Sequence, residues 1–131
     1  MATILCIDDD PQMGSLMCRI LEERGHVVRL VNNGKAGEEI LRKQTIELLI
    51  TDILMPEMDG IELLFKLRAL DTCTKVLAIS GGGRYIDSSA ALDMVRMLGV
   101  QYTLRKPFKA EDLLDAVTYV LEGQHAPTHS I

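Results

Sequence analysis

The sequence predicts an α/β fold built on a doubly wound, five-stranded parallel sheet with helices on both faces. Three observations predict it. Five short apolar runs alternate with longer stretches whose apolar residues recur at helical spacing. The runs are apolar on both faces, as central strands of a parallel sheet are. Turn and cap residues fall between the two kinds of segment, giving five successive βα units.

The elements follow in order. Ile4, Leu5, Cys6 and Ile7 form the first run, His26 to Val31 the second, and Leu48 to Thr51 the third, which ends at Asp52. Lys75 to Ile79 form the fourth, ending at Ser80, and Gln101 to Arg105 the fifth, ending at Lys106. The helical stripes are Met13, Leu16, Met17, Ile20 and Leu21, then Ala36, Ile40 and Leu41, then Ile61, Leu64, Leu67 and Leu70. Leu92, Val95, Met97 and Leu98 make the fourth, and Leu113, Leu114, Val117, Val120 and Leu121 the last. Asp10 before Pro11 reads as an N-cap followed by proline at the first helical position, so Asp10 is assigned to capping and not to ligand binding. Gly25 and Gly99 stand where helices stop. Asp59-Gly60-Ile61-Glu62 has capping-box spacing. The 131 residues make one domain, over residues 1–122, followed by a flexible tail over 123–131 that is polar and carries Pro127.

Composition narrows the function. Lys and Arg number 14 against 19 Asp and Glu, a net charge of −5, which is not the basic footprint of a nucleic-acid binder. There is no Trp, and aromatics are 4%, too few for base-stacking platforms. No apolar run approaches membrane-spanning length, so membrane insertion is not expected. Cys6, Cys18 and Cys73 match no zinc or redox spacing, and Cys6 and Cys18 read as buried thiols. Absence of a secretory signal and of paired cysteines points to a reduced, cytoplasmic location.

In an open parallel sheet, ligands gather at the carboxyl ends of the strands. Here those ends carry Asp8-Asp9-Asp10, Asp52, Ser80 followed by Gly81-Gly82-Gly83, and Lys106. Clustered carboxylates stay ionised together only with a cation among them, and hard carboxylate oxygens favour Mg²⁺. With a lysine, a hydroxyl and glycines that allow backbone N–H groups to approach an oxyanion, the set suits phosphoryl transfer.

The ordered stretches Ile4 to Asp10, Leu48 to Gly60, Val76 to Gly81 and Lys106-Pro107-Phe108 resemble the receiver domain of bacterial response regulators, over about residues 3 to 122. The resemblance implies a flavodoxin-like fold with strand order 2-1-3-4-5. It implies Asp52 as phosphoacceptor from a sensor histidine kinase or histidine phosphotransfer protein. It implies Mg²⁺ held by Asp9, Asp52 and the backbone carbonyl of Leu54, with Asp8 acting through a water. Lys106 would pair with the acyl phosphate, Ser80 would bond the phosphoryl oxygen, and Tyr102 would turn inward with Ser80 as the aromatic switch. The Lys106–Pro107 bond would be cis. The implied role is a stand-alone phosphorylation-controlled binding module, not an enzyme with a substrate of its own. It would undergo only self-directed transfer and autodephosphorylation. The readout would pass to a downstream protein target through the fourth helix, fifth strand and last helix. Dimers through the fourth-helix face are frequent in this family, which puts a second copy of the chain among the expected partners. On the first helix, Met13 is taken as the partner-docking residue and Leu16 as core. Gly81 to Gly83 depart from the family's usual alanine after the hydroxyl residue, so a loose loop and rapid loss of the phosphoryl group are expected. The alternative reading is a small phosphatase similar to the haloacid dehalogenase superfamily, with Asp8 as nucleophile. Pro11-Gln12 in place of a threonine-bearing continuation, and the lack of a cap domain, separate the chain from it.

Overall fold

The computed structural model describes residues 1–53, 60–70, 72–80 and 96–123. Five strands and four helices are described: β1 (Thr3–Ile7), α1 (Pro11–Glu22), β2 (Val27–Val31), α2 (Gly34–Lys43), β3 (Leu48–Asp52), α3 (Gly60–Ala69), β4 (Lys75–Ser80), β5 (Val100–Arg105) and α4 (Ala110–Glu122). All strand pairs are parallel, in the order β2-β1-β3-β4-β5. The expected sheet and strand order are thus present, and the strand limits move by a residue or so. Of the fourth helical stripe, Leu92 and Val95 lie outside the described residues, as does Asp59 of the expected capping box.

Strand alternation divides the core in two. Leu5 and Ile7 of β1 and Leu49 of β3 turn to α2 and α3, where they meet Leu41, Leu63, Leu64 and Leu67. Ile4 and Cys6 of β1 and Ile50 of β3 turn to α1 and α4, where they meet Met17, Leu21, Leu113 and Val117. All five residues of β3 are buried, as the middle strand of such a sheet requires. β2 pairs on one side only, so Val27 and Leu30 are exposed although their run is apolar on both faces.

The N-terminal signal of α1 is as read: the Asp10 side chain accepts from the backbone N–H of Gln12 at 3.0 Å and Met13 at 3.5 Å, with Pro11 opening the helix. Gly25 has φ +88°, a conformation that side chains other than glycine's rarely adopt. A capping box missed in the sequence opens α4, where the Asp112 carboxylate accepts from the Lys109 N–H at 2.8 Å. Of the cysteines, Cys6 is buried as expected, whereas Cys18 is only half-buried and Cys73 is exposed.

Three corrections concern helix faces. The buried stripe of α1 is Gly14, Met17 and Leu21. Leu16 sits about 130° around the helix from its centre, at roughly 100° per residue, and is 45% exposed, so it is not core. Met13, nearer the stripe, is half-buried and packs partly on the α1–α4 core, so it is not the fully exposed side chain expected. Met97 is 77% exposed, while Leu98 beside it is buried, so only one of the two belongs to the core.

Near the amino ends of the strands, Ala2 N–H donates to His26 Nδ1 at 3.0 Å, which requires that nitrogen to be unprotonated. Burial, together with the nearby amino terminus, lowers the His26 pKa below the ordinary imidazole value. The unfolded chain therefore takes up the proton first, and stability rises with pH across that window. The expected result is a contribution complete above about pH 6.5 and lost as pH falls through the folded-state value. Urea unfolding at pH 5 and pH 7.5 should show a smaller pH dependence for His26→Ala than for the parent chain; equal dependences would contradict this.

Candidate phosphoacceptor site

The carboxyl ends of β1, β3, β4 and β5 meet at one edge of the sheet. Asp8 directly follows β1, Asp52 ends β3, Ser80 ends β4 and Lys106 directly follows β5. Backbone bonds lace these ends together: Lys106 N–H donates to Ser80 O at 2.8 Å, and Ile53 N–H to Ile79 O at 3.1 Å. The side chains then converge. Lys106 Nζ lies 3.2 Å from Asp8 Oδ2 and 3.1 Å from Asp52 Oδ2. Ligand oxygens of Asp8, Asp9 and Asp52 all lie within 4.8 Å of one another. Asp8 and Asp52 are 1% and 7% exposed, whereas Asp9 faces solvent.

The electrostatics follow from this packing. Burial raises the Asp8 pKa, although the Asp10 amide, which donates to Asp8 Oδ1 at 2.8 Å, and the Lys106 ammonium both oppose the rise. Burial alone would lower the Lys106 pKa, but the Asp52 and Asp8 carboxylates outweigh it and the net direction is up. The two directions are compatible because Asp8 is wholly enclosed, whereas Lys106 keeps part of its side chain in water and faces two carboxylates. Three carboxylates against one ammonium leave an excess of negative charge. An all-oxygen donor set with that excess fits a hard divalent cation. Both oxygens of Asp8 are already engaged, by Lys106 and by the Asp10 amide, which disfavours Asp8 as a nucleophile.

The structure thus brings together Asp8, Asp9, Asp52 and Lys106, and places Ser80 at the same edge, buried. Asp10 is the helix cap expected, and the Lys106–Pro107 bond is cis. Tyr102 lies on β5, half-buried against the α1–α4 core. Leu54 and Gly81 to Gly83 lie outside the described residues. Two contributors were missed. Thr51 Oγ1, buried, donates to the Asp52 carbonyl at 3.0 Å; a hydroxyl one residue before the terminal acid was the available signal. Gly60 abuts the backbone of Asp52 and Ile53; its place opening the helix after β3 was the clue.

The hollows described elsewhere do not mark the site. One of about 620 Å³ lies at the far end of the strands, lined by Lys43, Ile46, Thr74 and Lys75 among others. Of the three carboxylates at the opposite end, Asp9 faces solvent.

Comparisons with known proteins agree with the geometry. The chain is 35% identical to the response regulator receiver protein CpdR of Brucella abortus (strain 2308), over 92% of this chain and 98% of that protein. It is 29% identical to the transcriptional regulatory protein CpxR homolog of Haemophilus influenzae, over 100% of this chain but 55% of that protein, so it spans about half of that relative's length. Among solved structures, a CheY-like response regulator receiver domain protein from Methanospirillum hungatei JF-1 superposes with a TM-score of 0.85 at 26% identity, over 94% of this chain and 95% of that one. The response regulator receiver domain family matches residues 4–118, and with the strand-end cluster in place the chain belongs to that family, the signalling module of two-component systems.

Proposed function

We propose that the chain is a stand-alone receiver that takes a phosphoryl group from a phosphohistidine onto Asp52. The single observation that carries this is the Lys106 ammonium shared between Asp52 and Asp8 at the strand ends. The donor is a sensor histidine kinase or histidine phosphotransfer protein. In the transfer, an Asp52 carboxylate oxygen bonds to phosphorus, the phosphorus–nitrogen bond breaks, and its electron pair stays on the imidazole. Asp9, Asp52 and the Leu54 carbonyl would hold Mg²⁺, and Asp8 would act through a water. When bound, the ion offsets the negative charge of the carboxylates and of the incoming phosphoryl oxygens. Lys106 pairs with the phosphoryl group and Ser80 bonds a phosphoryl oxygen; Tyr102, which packs on the α1–α4 face while Ser80 alternates to the other, is not retained as the switch.

The phosphorylated form presents the fourth helical segment, β5 and α4 to a downstream protein in the cytoplasm. Its turnover is limited to loss of its own phosphoryl group, rapid because of Gly81 to Gly83. A second copy of the chain is a further partner. The receiver comprises residues 1–122, with 123–131 as a tail; α4 ends at Glu122, and Gly123 takes a left-handed conformation. Acetyl phosphate with Mg²⁺, followed by borohydride reduction and peptide mass spectrometry, tests the reading. Label at Asp52 supports it, and label at Asp8 would favour the phosphatase.

The docking residues on α1 are Met13, which is half-buried, and Leu16. Leu16 is exposed and lines a hollow of about 500 Å³ with Pro11, Gln12, Ser15 and Arg19, beside the acidic cluster. Leu16→Glu is expected to slow transfer from a phosphorylated kinase at least about tenfold, as loss of an apolar anchor does. It should leave labelling by acetyl phosphate unchanged. Equal kinase transfer in Leu16→Glu and the parent would remove Leu16 from the interface.

A further inference from the structure

We infer that Gln101 is a positioning residue for Lys106: its side chain holds a bulge in β5, and the bulge sets the register that delivers the lysine to the acids. Along a regular strand, residues i and i+2 face the same side. Here Val100 packs with the α2–α3 core, whereas Tyr102 and Leu104 pack with the α1–α4 core. The pairing locates the inversion. Val76 is opposite Val100 and Leu77 is opposite Tyr102, so Gln101 falls between the two pairs. One extra residue in one strand is a β-bulge, rare between parallel strands. A bulge interrupts the ladder, and an interrupted ladder leaves backbone groups to be met in another way. Val76 N–H donates to Oε1 of Gln101 at 2.8 Å. The bulged residue thus supplies, from its own side chain, the acceptor for the facing strand.

Beyond the bulge, pairing runs evenly to Ser80 opposite Arg105, and Lys106 N–H donates to Ser80 O at 2.8 Å. The ammonium then lies 3.2 Å from Asp8 Oδ2 and 3.1 Å from Asp52 Oδ2. Regular pairing from Val76–Val100 onward would put Leu104, not Arg105, opposite Ser80. Lys106 would stand about 3.3 Å beyond its present place, with its side chain turned to the other face. Neither ion pair survives that displacement. The apolar faces of β5 call for the extra residue, and Gln101 meets the donor that it would orphan. Gln101 is exposed at the far end of β5 from Lys106, so it acts through register alone. The link to phosphorylation rests on the reading of Asp52 and Lys106 given above; the bulge does not.

The test uses the whole chain with lysines carrying ¹³C at Cε, the Lys106 resonance being assigned by Lys106→Arg. Gln101→Leu keeps bulk and removes the acceptor, whereas Gln101→Glu keeps an oxygen acceptor. Amide exchange at Val76 is expected to be at least about tenfold faster in Gln101→Leu than in Gln101→Glu, the scale of one lost hydrogen bond. In unphosphorylated protein, the Lys106 resonance should move toward those of exposed lysines in Gln101→Leu and stay near its parental place in Gln101→Glu. Labelling of the folded fraction by acetyl phosphate should fall at least about threefold in the leucine variant only. General loss of stability would leave the Lys106 resonance of the folded chain where it is. Gln101→Met serves in place of the leucine variant if circular dichroism shows that variant unfolded. An unmoved Lys106 resonance in the variant without the acceptor overturns the inference, as does equal displacement by leucine and glutamate. A resonance that responds as expected in a chain that takes no label at Asp52 upholds the positioning role and counts against the phosphoacceptor reading.

Discussion

Asp52→Asn is expected to lower phosphoryl uptake from acetyl phosphate in Mg²⁺ by at least about a hundredfold, as loss of a nucleophile does. The amide oxygen can still accept from Lys106, so the strand end keeps its shape, but a neutral amide does not form the mixed anhydride. Asp8→Asn should behave differently. It retains an acceptor for the Asp10 amide and removes only the charge. Its expected effect is a Mg²⁺ requirement raised by about 10–100-fold, the usual scale for a group one shell away from a metal. Labelling at saturating Mg²⁺ should be retained. The same variant should be more stable than the parent in chelator. Burial raises the Asp8 pKa, so the folded chain binds that proton more tightly than the unfolded chain does, and the ionised carboxylate costs stability above its folded-state pKa. Urea unfolding in chelator reads this directly. A destabilised Asp8→Asn would mean that the Lys106 pair outweighs burial, and full labelling of Asp52→Asn would remove Asp52 from the chemistry.

Gly60→Ala is expected to lower stability by about 2–3 kcal/mol, near the upper end for overpacking a well-filled site. A Cβ at this position would collide with the Asp52 carbonyl oxygen and stand 2.7 Å from Ile53 Cα. Both are backbone atoms, so no rotamer change relieves the clash. Gly60 N–H also donates to the Ile53 carbonyl at 2.7 Å, which ties the start of α3 to the end of β3. Either α3 or the β3 terminus must shift, and that terminus carries Asp52. Labelling of the folded fraction by acetyl phosphate should therefore fall too. A variant as stable and as readily labelled as the parent would show that this junction yields without cost.

The sheet and most of the cluster could be read from the residues because both depend on local pattern. β3 is buried throughout and ends in an acid, and an apolar strand closed by a carboxylate is hard to assign to solvent. Helix faces were harder. In α1, Leu16, Met17, Ile20 and Leu21 satisfy helical spacing whichever residue faces the sheet. What settles the face is the close approach of Leu30 to Gly14, a contact from another element. Met97 and Leu98 pose the same ambiguity at a helix end, where one side chain turns in and its neighbour out. β2 is nearly as apolar as a central strand; its edge position comes from the crossover order, which the family resemblance implied and the apolar pattern alone did not.

Lys106 is moored twice. Its amide is bound to the last residue of β4, while its ammonium reaches the acids that close β1 and β3. Chain geometry and ionic balance are therefore joined in one side chain. Any new charge on either acid changes the tug on the lysine, and the lysine passes it to the segment running into α4. One residue thereby ties the charge balance at two strand ends to the chain leading into α4.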